Sequence, residues 1–197
     1  MIFPGWIAYA TFALLFFLLI PTARLSNRAR FGVLAAALII GVIPLPGGLS
    51  LAGYLRAFTD ELAITSLLII AAAVMQRLGW MPAIAQAQRL QLFGFFIVAG
   101  LVLYPAALGV GMTDPYRWGY VPAPLIALTG GVALASVWFG NRRLALLLTL
   151  ATLAYVLRLK ASPNYWDYLL DPLLVCFAVA VFVREAMVRL MRRSPAA

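Results

Sequence analysis

Seven stretches of almost purely apolar residues, separated by short polar segments, constrain the fold of this chain more than any other feature. Charged residues make up only 11% of the chain, whereas soluble domains contain about 25%. A bilayer, with a hydrocarbon core about 30 Å thick, accepts helical segments of about 20 apolar residues. The pattern therefore predicts an all-α integral membrane protein, a polytopic bundle of about seven transmembrane helices that forms one domain over residues 1–197.

The predicted spans follow the apolar runs and stop where proline, glycine or charge interrupts them. The segment 49–63, LSLAGYLRAFTDELA, is amphipathic, and we expect it to form an interfacial or re-entrant helix rather than to cross. Arg56 and Asp60 are four positions apart in it and share one face if the segment is helical. The spans cover about residues 4–20, 31–43, 62–78, 92–110, 121–139, 144–157 and 168–188.

The positive charges predict how these spans are oriented. With seven crossings, the connecting segments on one side, together with the C-terminal tail, contain eleven arginines. The segments on the other side contain only Arg56, Arg117, Arg158 and Lys160. Because short cytoplasmic loops carry an excess of lysine and arginine, we expect the N-terminus outside and the C-terminus in the cytoplasm. The expected location is the bacterial inner membrane.

Five of the six acidic residues fall in segments on the predicted outer side, together with several tyrosines and tryptophans. In one interpretation the aromatic rings anchor the chain at the membrane interface, and the carboxylates favour the dipoles at helix N-termini. In the other, the outer loops line a pocket whose arginines hold a lipid phosphate. The candidate lipid- or substrate-binding residues of that pocket are Arg56, Asp60, Glu61, Asp114, Arg117, Arg158, Asp167 and Asp171.

Two arrangements are open for the carboxylates near the last apolar run. Asp167 and Asp171 are four apart and share a face if their segment is one helix. Pro172 instead suits a first helical turn, which would place Asp171 at the N-cap and Asp167 before the helix. The sequence does not choose between these arrangements, and it does not show whether the three outer loops meet.

The residues that this chain lacks exclude several classes of chemistry. Without histidine, it cannot supply a histidine haem ligand, a Ser-His-Asp triad or a histidine-bound zinc. Cys176 is the only cysteine, so no disulfide can form within the chain. No glycine-rich nucleotide loop and no dense acidic motif is present. We therefore expect no cofactor, no metal site and no nucleic-acid partner.

The sequence does not decide whether the chain is an enzyme, and it favours a non-catalytic role. No isolated charge falls in the middle of a predicted span, which argues against an ion pathway. We expect an accessory or scaffold subunit of a membrane complex in envelope assembly, export or lipid handling, with membrane lipids and another membrane protein as partners. The alternatives are a lipid-binding transferase or hydrolase that uses the outer carboxylates, and a small transporter subunit.

Overall fold

A computed structural model describes residues 5–193, and every regular element in that range is helical. Each predicted apolar run overlaps a helix, and the amphipathic segment forms the short helix α3. The helices are α1 Trp6–Leu19, α2 Asn27–Val42, α3 Leu51–Thr59, α4 Ile64–Arg77, α5 Gln86–Ala107, α6 Ala123–Trp138, α7 Arg142–Val156, α8 Trp166–Leu169 and α9 Pro172–Arg193, with a 3-10 turn at Pro115–Gly119. Pro4, at the start of the first predicted span, lies outside the described residues.

Of the helices in residues 5–193, only α5 is long and apolar enough to cross a membrane, so the prediction of about seven transmembrane helices is wrong. The helices α1, α4 and α6 are apolar but contain 14, 14 and 16 residues. At about 1.5 Å per residue they reach about 21 to 24 Å, less than the hydrocarbon thickness of about 30 Å. The helix α9 is longer, but Arg184, Glu185 and Arg189 interrupt its second half. The predicted orientation depended on seven crossings and is withdrawn with them.

The error arose because apolar runs include residues that are not helical. In the run 121–139, Pro122 occupies the N-cap position, so α6 begins only at the next residue. The run 168–188 is divided at Leu170, whose extended backbone separates α8 from α9. In the run 92–110, α5 ends before Gly109, whose φ of 84° belongs to the left-handed region. Apolar composition therefore located the helices but overestimated how far several of them extend.

Polar side chains determine where three of the helices begin. Ser26, Ser50 and Asn141 each precede a helix and accept a hydrogen bond from the backbone N–H three residues later, at 3.3, 3.1 and 3.1 Å. Such caps satisfy N–H groups that have no partner within the helix, and each typically contributes about 1 kcal/mol. These short polar residues thus mark the starts of α2, α3 and α7.

The helix α7 lies at the centre of the bundle. It packs against α4, α5, α6 and α8, and its residues Leu148 and Ala151 are completely buried. Elsewhere in the bundle, α1 packs against α2, α3 and α4, and α5 packs against α9. The main core includes residues from Ile7 to Ala178, so it draws on nearly the whole described chain. A smaller cluster of Phe17, Val74 and Leu78 lies where α1 packs against α4.

Contacts between loops define two ends of the bundle. At the first, which we call the loop end, the segments 60–63, 114–120 and 158–171 meet. At the second, which we call the arginine end, α4 and α9 terminate, and α5 and α7 begin. The predicted site residues belong to the loop end or to the neighbouring helix α3.

Candidate functional site

The three loops that the sequence places on one side come together at the loop end. Trp166 Nε1 donates a hydrogen bond to the carbonyl of Pro115 at 2.9 Å, and Asn164 Nδ2 donates to the carbonyl of Tyr116 at 3.0 Å. Lys160 Nζ donates to the carbonyl of Glu61 at 2.6 Å. These bonds connect positions 48 to 99 residues apart, so the loops close over the helix ends as one unit, which we call the loop junction. The three loops therefore meet in the structure, which the sequence alone did not show.

Lys160 lies at the centre of this junction. Its Nζ donates to three backbone carbonyls, those of Glu61 at 2.6 Å, Asp167 at 3.2 Å and Leu62 at 3.5 Å. Three acceptors match the three N–H donors of an ammonium group. Burial lowers the pKa of Lys160 because loss of hydration disfavours the charged form, while nearby carboxylates, Asp167 foremost, oppose that shift. The sequence suggested Lys160 as a partner for the outer carboxylates or a lipid phosphate, and it did not predict these bonds to backbone carbonyls.

Asp167, a predicted site residue, holds two other side chains. Its Oδ1 and Oδ2 accept from Tyr116 Oη at 3.1 and 3.3 Å, and Oδ2 also accepts from Ser162 Oγ. Burial raises the pKa of Tyr116, and the adjacent carboxylate raises it further. The phenol therefore stays protonated and remains a donor. Through these hydrogen bonds Asp167 connects the 3-10 turn to the segment that precedes α8.

Asp171 joins the N-termini of two helices. Its Oδ1 accepts from Leu174 N at 2.8 Å, which makes it the N-cap of α9, one of the two arrangements that the sequence allowed. Its Oδ2 accepts from Ala63 N at 2.9 Å and from Ser66 Oγ at 2.5 Å, at the start of α4. The partial positive charges at both helix starts favour a carboxylate between them. The side chain is buried, so this position is enclosed by the protein.

Three more predicted residues lie at the end of α3. Arg56 Nη2 pairs with Glu61 Oε1 at 3.0 Å, although the spacing in the sequence had placed Asp60 on its helix face. Asp60 is exposed and follows α3 with a φ of 57°. Arg56 and Asp60 line an open groove of about 830 Å³ between α1, the turn after α2 and α3. This groove is the place where predicted site residues border a space large enough for a ligand.

The last three predicted residues are exposed. Asp114 accepts a hydrogen bond from Tyr116 N at 3.1 Å and so caps the 3-10 turn. The side chains of Arg117 and Arg158 make no hydrogen bond or ion pair with any residue that the structure describes. Within the described part of the chain, the structure therefore brings Asp167 and Asp171 into the loop junction and leaves these three at its surface.

The arginine end contains arginines that bind backbone carbonyls. Arg77 Nη1 donates to the carbonyl of Leu18 at 2.6 Å, near the end of α1. Arg30 donates through Nε, Nη1 and Nη2 to three carbonyls, including that of Arg77 at 3.0 Å. Carbonyls at a helix C-terminus have no partner within the helix, so these contacts satisfy them. Both arginines are structural.

Two other arginines at this end are only partly engaged. Arg89 Nη2 pairs with Glu185, and Arg143 Nη2 donates to the carbonyl of Pro82 at 2.6 Å. Arg89 Nε and Arg143 Nη1 are buried and have no hydrogen-bond partner among residues 5–193. Both side chains line a cavity of about 450 Å³ between α4, α5, α7 and α9. Sequence reasoning assigned these arginines to chain orientation and to general contact with anionic lipid, and it did not predict the cavity.

No group of three or more acidic or cysteine side chains within the described range is arranged to hold a metal ion. No protein-family model matches the sequence, and no curated protein or solved structure shows significant similarity to it. The features of the molecule that bear on its function are therefore the two ends of the bundle and the apolar surface between them.

Proposed function

We propose that this protein is a non-catalytic accessory or scaffold subunit of a complex in the bacterial inner membrane, acting in envelope assembly, export or lipid handling. The supporting observation is that the carboxylates of the loop junction are engaged inside the protein. Each oxygen of Asp167 and Asp171 accepts at least one hydrogen bond from the chain itself. A general acid or base must have an atom within hydrogen-bond reach of its substrate, and these oxygens are directed to structural partners.

The apolar surface supports a membrane location for the proposed subunit. The helix α5 is long and apolar enough to cross a bilayer. On α6, the side chains of Leu128, Leu134 and Trp138 are 62%, 74% and 87% exposed. Large exposed apolar areas mark contacts with membranes or with other proteins. A subunit of a membrane complex would cover such a surface with lipid and with a partner protein.

A native purification tests this proposal. The protein, tagged at its C-terminus and produced at its normal level, is extracted from membranes in mild detergent, and co-purifying proteins are identified by mass spectrometry. We expect a membrane protein in stoichiometric amount, and we expect Leu134→Gln on the exposed face of α6 to reduce its recovery. The matched control is Ala133→Ser, since Ala133 is the neighbouring residue of that helix but is buried. Recovery of the chain alone as a stable species would contradict the subunit role.

The groove beside α3 favours a second candidate, a lipid-binding transferase or hydrolase. It combines an arginine, Arg56, with the exposed carboxylate of Asp60, and arginine binds phosphate well. The test is complementation of a deletion strain by Asp60→Asn and by Arg56→Gln. Full activity of both variants at normal protein levels would remove this candidate. Loss of activity without loss of protein would favour it over the subunit role.

A further inference from the structure

The cavity at the arginine end has an apolar body and a charged mouth. Four helices surround it, and its volume of about 450 Å³ lies within the range of about 300 to 1,000 Å³ that is typical of ligand sites. On α4 its lining extends from Leu68 to Gln76, a distance of about 12 Å along the helix axis. Its apolar wall includes Leu68, Ile69, Leu92, Phe93, Leu147 and Phe177.

The charges at the mouth do not balance. Arg89, Arg143 and Arg184 face one carboxylate, that of Glu185, which leaves a surplus of two positive charges. Glu185 is already occupied, because it accepts from Arg89 and from Gln86 Nε2. The mouth of the cavity therefore attracts an anion that the described part of the chain does not supply.

The guanidinium groups of Arg89 and Arg143 also have N–H donors that no described residue accepts. Arg89 and Arg143 each bond to the described residues only through Nη2, and one further nitrogen of each is buried without a partner. Buried N–H groups without partners are rare because leaving them unpaired costs free energy. Arg30, at the same end, shows the alternative, since all three of its nitrogens donate to carbonyls. The two cavity arginines are therefore placed to turn their free donors to an anion that enters.

These properties together specify the occupant. A small hydrophilic anion would not fill an apolar slot, and a neutral hydrocarbon would leave the arginine donors unpaired. We propose that the cavity binds one anionic phospholipid, with an acyl chain between α4, α5, α7 and α9 and its phosphate at Arg89 and Arg143. Arginine binds phosphate through paired N–H donors, and basic pockets between membrane helices bind anionic headgroups. The inference rests on the proposed membrane location but not on the proposed subunit role.

A lipid titration of the purified, delipidated protein in a nonionic detergent tests the site. The probes are dioctanoyl phosphatidylglycerol, which is anionic, dioctanoyl phosphatidylcholine, which is zwitterionic, and octanoate, a carboxylate with the same chain. Binding is followed by native mass spectrometry. We expect phosphatidylglycerol to bind at least about tenfold more tightly than the other two, because phosphatidylcholine brings a choline cation to the surplus positive charge at the mouth and octanoate lacks the phosphate. Equal binding of the two phospholipids, or tighter binding of octanoate, would overturn the proposal.

Variants separate the charged mouth from the apolar body. Arg89→Gln and Arg143→Gln should each weaken phosphatidylglycerol about tenfold and phosphatidylcholine less, because both lipids have the phosphate but the choline cation gains from the loss of a positive charge. Arg142→Gln is the matched control, because Arg142 is adjacent in sequence and exposed but does not line the cavity. Equal losses for the variants at positions 142 and 143 would show nonspecific attraction and overturn the proposal.

A third variant keeps the test decisive if an arginine variant fails to fold. Ala72→Leu adds bulk to the apolar lining on α4 without changing any charge. It should weaken phosphatidylglycerol severalfold, and unchanged binding would overturn the proposed acyl-chain position. Absence of the protein from the membrane fraction would refute the proposed location. A membrane-bound protein with a protein partner but without lipid selectivity would refute this inference alone.

Discussion

The loop end and the arginine end both place charged side chains beside helix termini, but they use them differently. At the loop end, Asp167 and Asp171 accept hydrogen bonds at every carboxylate oxygen. At the arginine end, Arg89 and Arg143 retain buried donors without partners beside a cavity. A cluster of charges in an apolar chain is therefore not by itself a binding site. The distinguishing property is whether its polar atoms already have partners within the protein.

The largest expected effect comes from removing the carboxylate that caps two helices. Asp171→Ala leaves Leu174 N, Ala63 N and Ser66 Oγ without their acceptor. From the cost of a lost cap and of buried unpaired donors, we expect the free energy of unfolding to fall by about 3 to 4 kcal/mol. The measurement is chemical denaturation in detergent micelles. Asp114→Ala, which removes an exposed cap, is the control, and equal small losses in both would contradict the structural role of Asp171.

Next in size is a change that adds a methyl group to the loop junction. A Cβ on Gly119 would lie 1.7 Å from Asn164 Oδ1 and 2.9 Å from Trp166 Cδ1. Asn164 cannot move aside freely because Trp166 N donates to its Oδ1 at 2.9 Å. Gly119→Ala should therefore cost about 2 to 3 kcal/mol of unfolding free energy. Gly130→Ala is the control, since nothing lies within 4 Å of its added methyl, and a helix gains about 0.5 to 1 kcal/mol from this change. If both variants were equally stable, the junction would be looser than described.

A smaller effect is expected from the tyrosine that binds Asp167. Tyr116→Phe removes the hydroxyl but keeps the ring, so Asp167 retains only the hydrogen bond from Ser162. We expect a loss of about 1 to 2 kcal/mol, measured by the same denaturation experiment. Tyr120→Phe serves as the control because Tyr120 is more exposed and its hydroxyl does not bond to Asp167. A stabilised or unchanged Tyr116→Phe variant would mean that Asp167 has other partners, as the binding-site interpretation requires.

The smallest effect is expected at the ion pair near α3. The Arg56 side chain is 47% exposed in its pair with Glu61, so water screens the attraction. Arg56→Gln should change the free energy of unfolding by less than about 1 kcal/mol. Raising the salt concentration should remove most of the difference between this variant and the wild type. A loss as large as that of Asp171→Ala would place Arg56 among the structural residues and weaken its assignment to the groove.

The positions of the helices could be predicted from the sequence, but their ability to cross a membrane could not. Apolar runs and the helix-breaking residues between them are local patterns that can be read from neighbouring residues. The sequence therefore places α1 to α7 close to where they lie in the structure. Crossing depends on the number of consecutive helical residues, and an extended residue such as Leu170 shortens that number without lowering the hydropathy. The pattern therefore supported seven crossings, whereas one helix among residues 5–193 meets the requirement.

The candidate site was predictable only in its local part. Pro172 after Asp171 allowed an N-cap as one of two arrangements, because that relation lies within one helical turn. The bond from Ala63 to the same carboxylate joins positions 108 residues apart and leaves no local pattern. The carbonyl contacts of Lys160 and the cavity beside Arg89 likewise depend on packing between distant helices.

The shared cap at Asp171 also bears on the order in which the protein can be completed during synthesis. The start of α4 leaves the ribosome first, and its acceptor follows 108 residues later. At a synthesis rate of about 5 to 20 residues per second, the Ala63 N–H is made roughly 5 to 20 seconds before its acceptor. During that interval water or a chaperone must satisfy it. The junction between α4 and α9 is thus among the last features to form, and a chain that ends before Asp171 never acquires it.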